Sequence, residues 1–133
     1  MIETQLKVLL ELARIDNVFD QRERNMIYSV GLAHGMKRKQ IDRIIKNGEG
    51  LAPEALEDLT DEEKFEMLYN IVQLMKIDGR IFNSEILFCQ EIAEKLGYKR
   101  AVIIELNTMI FTNPDIQIDR RIIKDQLKRF ASR

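Results

Sequence analysis

Apolar residues recur at intervals of three and four along almost the whole chain, and strand-like alternation is absent. That spacing predicts an all-α fold. Leu6, Leu9, Leu10 and Ala13, with Val18 beyond them, predict a first helix over residues 2–15. After a turn at 16–20, a second helix carries Met26, Ile27, Val30 and Ala33 inward and stops at Gly35. Glycine suits the left-handed position just past a helix, and Met36 stands where it would cover the last turn. A third, basic helix carries Ile41, Ile44 and Ile45 and ends near Asn47-Gly48. A connection over 48–60 follows, with Gly50 and Pro53 in it. Thr60-Asp61-Glu62-Glu63 then has the spacing of a capping box, heading a helix that runs through Phe65, Leu68, Ile71, Val72 and Met75 to about Ile77. A further helix begins near Ser84 and stops at Gly97, with Tyr98 next to it. Another runs through Val102, Ile103, Leu106 and Ile110, and Asn113-Pro114 breaks the chain. Ile118, Ile122, Ile123, Leu127 and Phe130 predict an amphipathic closing helix over 115–132, basic on its outer face. The total is about seven helices.

These elements come in two similar sets. Residues 6–44 recur at 68–106 with a shift of 62 positions. Leu6, Leu12, Ile15, Asp16, Glu23, Gly35, Lys37, Arg38 and Ile41 have identical counterparts in Leu68, Leu74, Ile77, Asp78, Glu85, Gly97, Lys99, Arg100 and Ile103. Arg14 and Lys76, Val30 and Ile92, and Phe19 and Ile81 are conservative matches. A period this long describes a supersecondary unit used twice, each copy burying its apolar face on the other. The expected architecture is a single domain of two pseudo-symmetric helical repeats plus the closing helix.

Composition narrows the function classes. The chain has 133 residues, long enough for a substantial core. Its net charge of −1 gives no overall attraction to nucleic acid or to an anionic membrane. Charge is uneven locally. Eight acids between Glu49 and Glu66 face Lys64 alone, whereas residues 37–46 carry Lys37, Arg38, Lys39, Arg43 and Lys46 against Asp42. Solvated helix faces account for both runs, and no aromatics interleave the basic one to make a nucleic-acid surface. No stretch approaches the roughly 18 uncharged apolar residues of a membrane span, and the start of the chain lacks signal-peptide character. The single Cys89 gives secretion no support, so a cytoplasmic location is expected. Cys89 aligns with inward-facing Ile27 and should be a buried, inert thiol. His34 aligns with Leu96 and reads as a helix-end residue. Gly48-Glu49-Gly50 lacks the lysine and helix of a phosphate loop.

The repeat singles out two acidic segments, Asp16-Asn17-Val18-Phe19-Asp20-Gln21-Arg22-Glu23 and Asp78-Gly79-Arg80-Ile81-Phe82-Asn83-Ser84-Glu85. Each begins where one helix ends and finishes in the first turn of the next. On one reading the carboxylates are architecture: the Asp accepts turn amides and the Glu lies in the favourable field of a helix start. On the other they are ligands. Asp16, Glu23, Asp78 and Glu85, with Asp20 as a fifth oxygen donor, would suit Ca²⁺, Mg²⁺ or Mn²⁺ rather than zinc. The spacing is too short for an EF-hand loop. No nucleophile or base accompanies the acids, so an enzyme is not expected.

A helix, an Asp-Gly-x-Ile-x-x-x-Glu turn and a second helix ending in Gly, used twice over about Leu6 to Ile110, resembles the tellurite-resistance TerB family. The wider TerB-like group includes the amino-terminal region of DjlA-type membrane co-chaperones. The resemblance implies an all-α fold and a non-enzymatic interaction or scaffold role in stress-associated bacterial assemblies, often near the membrane. It implies protein partners, membrane-associated ones included, or a second copy of the chain as a homodimer. In that family, acidic positions matching Asp16, Glu23, Asp78 and Glu85 have been proposed as a metal site. Asn17 departs from the usual Gly and weakens the first copy of the motif.

Overall fold

The computed structural model describes residues 2–15, 19–47, 56, 59–77, 83–110 and 120–131. Within them the chain forms seven α-helices: α1 (Ile2–Arg14), α2 (Gln21–Ala33), α3 (Arg38–Asn47), α4 (Asp61–Lys76), α5 (Asn83–Lys95), α6 (Ala101–Met109) and α7 (Arg120–Leu127). A 3₁₀ turn, Lys128–Phe130, follows α7. No strand occurs among the described residues, and the all-α expectation holds.

Two helices form the centre. A surface helix buries one stripe, but α1 buries Gln5, Leu6, Val8, Leu9, Leu10, Leu12 and Ala13, which surround most of its axis. Helix α4 does the same with eight residues from Phe65 to Met75. These helices pack on each other, with α2 and α3 against α1, and α5 and α6 against α4. Helix α5 also reaches α1, and α7 lies on α6. The buried side chains form one contiguous core, which Leu56 and Leu59 of the connection join. Truncating a fully buried leucine such as Leu9 or Leu68 to alanine would cost about 2–5 kcal/mol.

Helix ends recur at the shift of 62. Gly35 and Gly97 hold φ of 86° and 93°. The Met36 N–H donates to the Gly31 carbonyl and the Gly35 N–H to Leu32, each at 3.0 Å. Tyr98 donates to Ala93 at 2.9 Å and Gly97 to Glu94 at 3.0 Å. Both ends are Schellman caps, so the two glycines do what the sequence assigns to them. A longer-range pair matches as well. Arg14 donates to the Ile45 carbonyl at 2.8 Å, and Lys76 donates to the Asn107 carbonyl at 2.6 Å and to that of Ile110. Each cation closes the carbonyl end of the third helix in its half. Burial holds the Lys76 ammonium below its usual 10.5.

Where the halves differ, packing explains it. Gly31 corresponds to Ala93. A Cβ at Gly31 would fall 2.7 Å from Ile41 Cδ1 and 3.3 Å from Leu6 Cδ1, so α2 approaches α1 and α3 more closely than a side chain allows. Of the closing helix expected over 115–132, residues 120–130 are helical, and 115–119 and 132 lie outside the described residues. Lys124 pairs with Glu62, and Arg129 pairs with Glu105 at 2.9 Å. The Lys99 N–H donates to the Phe130 carbonyl at 2.8 Å, tying the chain's end to the α5–α6 turn. No described helix is long and apolar enough to cross a membrane.

Candidate functional site

The acidic segments are the first place to look. Asp16 and Asp78 lie outside the described residues. Asp20 is the N-cap of α2: its carboxylate accepts the Glu23 N–H at 2.9 Å, and the Glu23 carboxylate accepts the Asp20 N–H at 3.2 Å. Two helix-start amides are thereby satisfied reciprocally. Glu23 is 7% exposed, and Glu85, in the first turn of α5, is 6% exposed. Among the described residues, no three His, Cys, Asp or Glu side chains converge closely enough to hold a metal ion. Phe19 lies beneath two guanidinium groups, Arg24 at 4.6 Å and Arg14 at 5.7 Å from its ring centre. Asp20-x-x-Glu23 has the same spacing as Thr60-x-x-Glu63, so a second capping box is a signal that sequence reading passes over.

A larger feature lies between α2 and α4. These helices flank α1 and leave a groove of about 670 Å³. One wall is the face of α2 from Arg22 through Met26, Ser29 and Val30 to His34. The other runs along α4 from Glu66 through Asn70 and Gln73 to Lys76 and Ile77, and Ile110 and Arg120 complete the lining. Met26 and Val30 are half-buried and Ala33 is exposed, although the helical spacing assigns all three to the core. Met26 and Val30 pack on the core from one side only, because no described helix covers the other. Of the three cations in the lining, Arg22 reaches the Asp20 carboxylate at 3.5 Å and Lys76 donates to the Asn107 and Ile110 carbonyls, which leaves Arg120; Glu66 is the carboxylate of the lining. Glu66 is engaged by His34, whose Nε2 lies 2.5 Å from its Oε1 and bridges the end of α2 to α4. Arg120 stacks over Tyr69 at 4.5 Å and meets no carboxylate among the described residues.

Beneath this groove sits a buried amide pair. Asn70 Nδ2 donates to Gln5 Oε1 across the α1–α4 interface. Gln5 is fully buried, and its Nε2 has no hydrogen-bond partner among the described residues.

The other candidates have structural roles. Cys89 is fully buried against Met75, and burial, with Glu85 nearby, pushes its thiol up to about 12. It is the inert thiol its alignment predicts. On the basic face, Arg38 stacks over Tyr28 at 4.6 Å, and the Tyr28 hydroxyl donates to Asp42. That hydrogen bond, followed by burial, raises the phenol above its usual 10.0. Comparison with protein-family models, with characterised proteins and with solved structures finds no match for this chain.

Proposed function

We propose that this chain is a non-enzymatic interaction module of the TerB-like kind, serving protein partners in a bacterial stress setting linked to tellurite or metal and to the cell envelope. The observation that carries the binding role is the α2–α4 groove, a concave surface in which Met26, Val30, Ile77 and Ile110 stand among convergent polar groups. The TerB-like assignment is supported by the all-helical fold and by the caps and cation-to-carbonyl bonds that recur at the shift of 62. The non-enzymatic reading is supported by the helix-start bonds that occupy Asp20 and Glu23 and by the sealed Cys89 thiol. The test is co-purification from the native host. A partner that accompanies the wild-type chain should be lost with Ser29→Trp, which fills the groove from an exposed position without disturbing the core. A partner retained by a folded Ser29→Trp protein would remove the groove from the account.

A second reading is a divalent-cation module using Asp16, Glu23, Asp78 and Glu85, supported by Glu23 and Glu85 standing as buried oxygen donors at equivalent helix starts, positions 62 apart. Thermal unfolding of metal-stripped protein with added Ca²⁺, Mg²⁺, Mn²⁺ or Zn²⁺ decides it. Saturable stabilisation by one ion that disappears in Asp78→Asn/Glu85→Gln would establish a ligand site.

A further inference from the structure

We propose that α7 is an exchangeable occupant: the apolar cleft it fills on α4 and α6 is a docking site for a basic amphipathic helix of a partner protein. The inference rests on the module reading above and gives it a second surface, away from the α2–α4 groove, with a partner of stated chemistry.

The site emerges when the two halves are compared along their first and third helices. In the first half, α1 and α3 leave an open cleft of about 270 Å³ lined by Glu3, Lys7, Gln40, Arg43, Ile44 and Asn47. The residues 62 positions further on are Phe65, Tyr69, Val102, Glu105, Leu106 and Met109, on α4 and α6. There the cleft is filled. Helix α7 lies on α6, Arg120 stacks over Tyr69 at 4.5 Å, and Arg129 pairs with Glu105 at 2.9 Å. Phe65 shares a recess with Arg120, Arg121 and Lys124. Chemistry follows the cover. Phe65, Val102, Leu106 and Met109 are buried, whereas Glu3, Gln40 and Asn47 are exposed and Ile44 is half-buried.

The first half also shows that the three-helix unit, with its glycine cap and its cation on the third helix's carbonyls, needs no helix in this cleft. Covering apolar surface is what α7 contributes, and it does so with few anchors. Helices α1 and α4 bury seven and eight residues, but α7 buries only Ile123 and Leu127. Its ion pairs use side chains open to water: Glu62, bound to Lys124, is 76% exposed, and Arg129, bound to Glu105, is 65% exposed. Exposed pairs hold a helix weakly, and an element held this way opens locally before the core does. What it uncovers is apolar and flanked by two acids. The resident helix specifies the visitor. Two apolar side chains four positions apart, as in Ile123 and Leu127, fill the cleft, and cations beside them meet Glu62 and Glu105.

The test uses the full chain and a fluorescent peptide with the sequence of residues 120–131. Ile123→Asp in the chain removes an anchor and releases α7; should that variant not fold, Lys124→Glu/Arg129→Glu releases it by breaking both ion pairs. Hydrogen exchange at α7, with α1 still protected, identifies the released and folded chain. Fluorescence anisotropy should show the peptide binding that chain at least about tenfold tighter than the wild type, whose own α7 competes. Adding Glu62→Gln/Glu105→Gln should weaken binding by at least about tenfold and flatten its salt dependence. A peptide carrying Ile123→Asp/Leu127→Asp should not bind. Equal binding to the wild-type and released chains, no binding to a released chain, or binding indifferent to the two acids would each overturn the proposal. Ser29→Trp should leave peptide binding unchanged, so the two surfaces are tested separately. Should a partner co-purify in a groove-dependent way while the peptide fails, the module reading stands and only this inference falls.

Discussion

The buried amide pair offers a sharp test of how α1 and α4 are held together. Asn70 satisfies only one polar end of Gln5, so whichever way the two amides are oriented, one Gln5 atom is left in the core without a partner. An unpartnered buried donor costs about 1–3 kcal/mol, while the single amide–amide bond returns about 1 kcal/mol. The repeat supplies the replacement, because Met67 and Val8 occupy the counterparts of Gln5 and Asn70 and are both fully buried. Asn70→Val removes the bond and leaves both ends of Gln5 unpartnered, so it should destabilise by about 2 kcal/mol after the valine's own burial is counted. Gln5→Met exchanges the Gln5 orphan for an Asn70 amide without its partner, also buried, and should be near neutral. The double variant removes every unsatisfied group and should equal the wild type or exceed it by about 1–2 kcal/mol. Urea unfolding of all four proteins gives the coupling, expected at about 3 kcal/mol. A double variant no more stable than Asn70→Val alone would show that the Gln5 amide carries no penalty, and would refute the reasoning.

Three further outcomes follow from the structure. Lys76→Met should lose about 2 kcal/mol with an unchanged urea slope by stripping two charge-assisted bonds from the end of α6, and Lys76→Arg should restore most of it because Arg14 does the equivalent work; urea midpoints would measure both. Glu63 accepts the Thr60 N–H at 2.9 Å, which lowers its pKa below the usual 4.5. Its contribution is therefore complete above that value and lost as pH falls through the lower folded pKa, so acid melts of Glu63→Gln should lack this part of the wild-type slope. With its thiol pushed up to about 12, Cys89 should react with a thiol reagent at neutral pH only when the chain unfolds, so modification followed in urea should track the unfolding transition.

What sequence makes legible here is local chemistry. The helix stops at Gly35 and Gly97 and the box at Thr60–Glu63 depend on residues within one turn of each other, and those are the features that sequence and structure share. Asp20–Glu23 is equally local, and its box is masked only by the competing interest of the acids as ligands. The rest depends on distance along the chain. Gln5 and Asn70 are separated by 65 positions and His34 and Glu66 by 32, and a polar residue facing a buried partner looks in sequence like a surface residue. The stripe at Met26, Val30 and Ala33 reads as core by period alone, because periodicity reports a face and not what covers it. Arg14 and Lys76 stand out in the sequence as a conservative match, but nothing local shows that each closes a helix about 31 residues further on.

The most direct test of the groove as the working surface is photo-crosslinking in the native host, with a photoreactive residue replacing Gln73 on the groove wall or Glu91 on the exposed side of α5. Discrete adducts from position 73, absent from 91 and abolished by Ser29→Trp, are the predicted result. Identical adducts from both positions, or none from 73 under conditions where the protein is folded and expressed, would contradict the account.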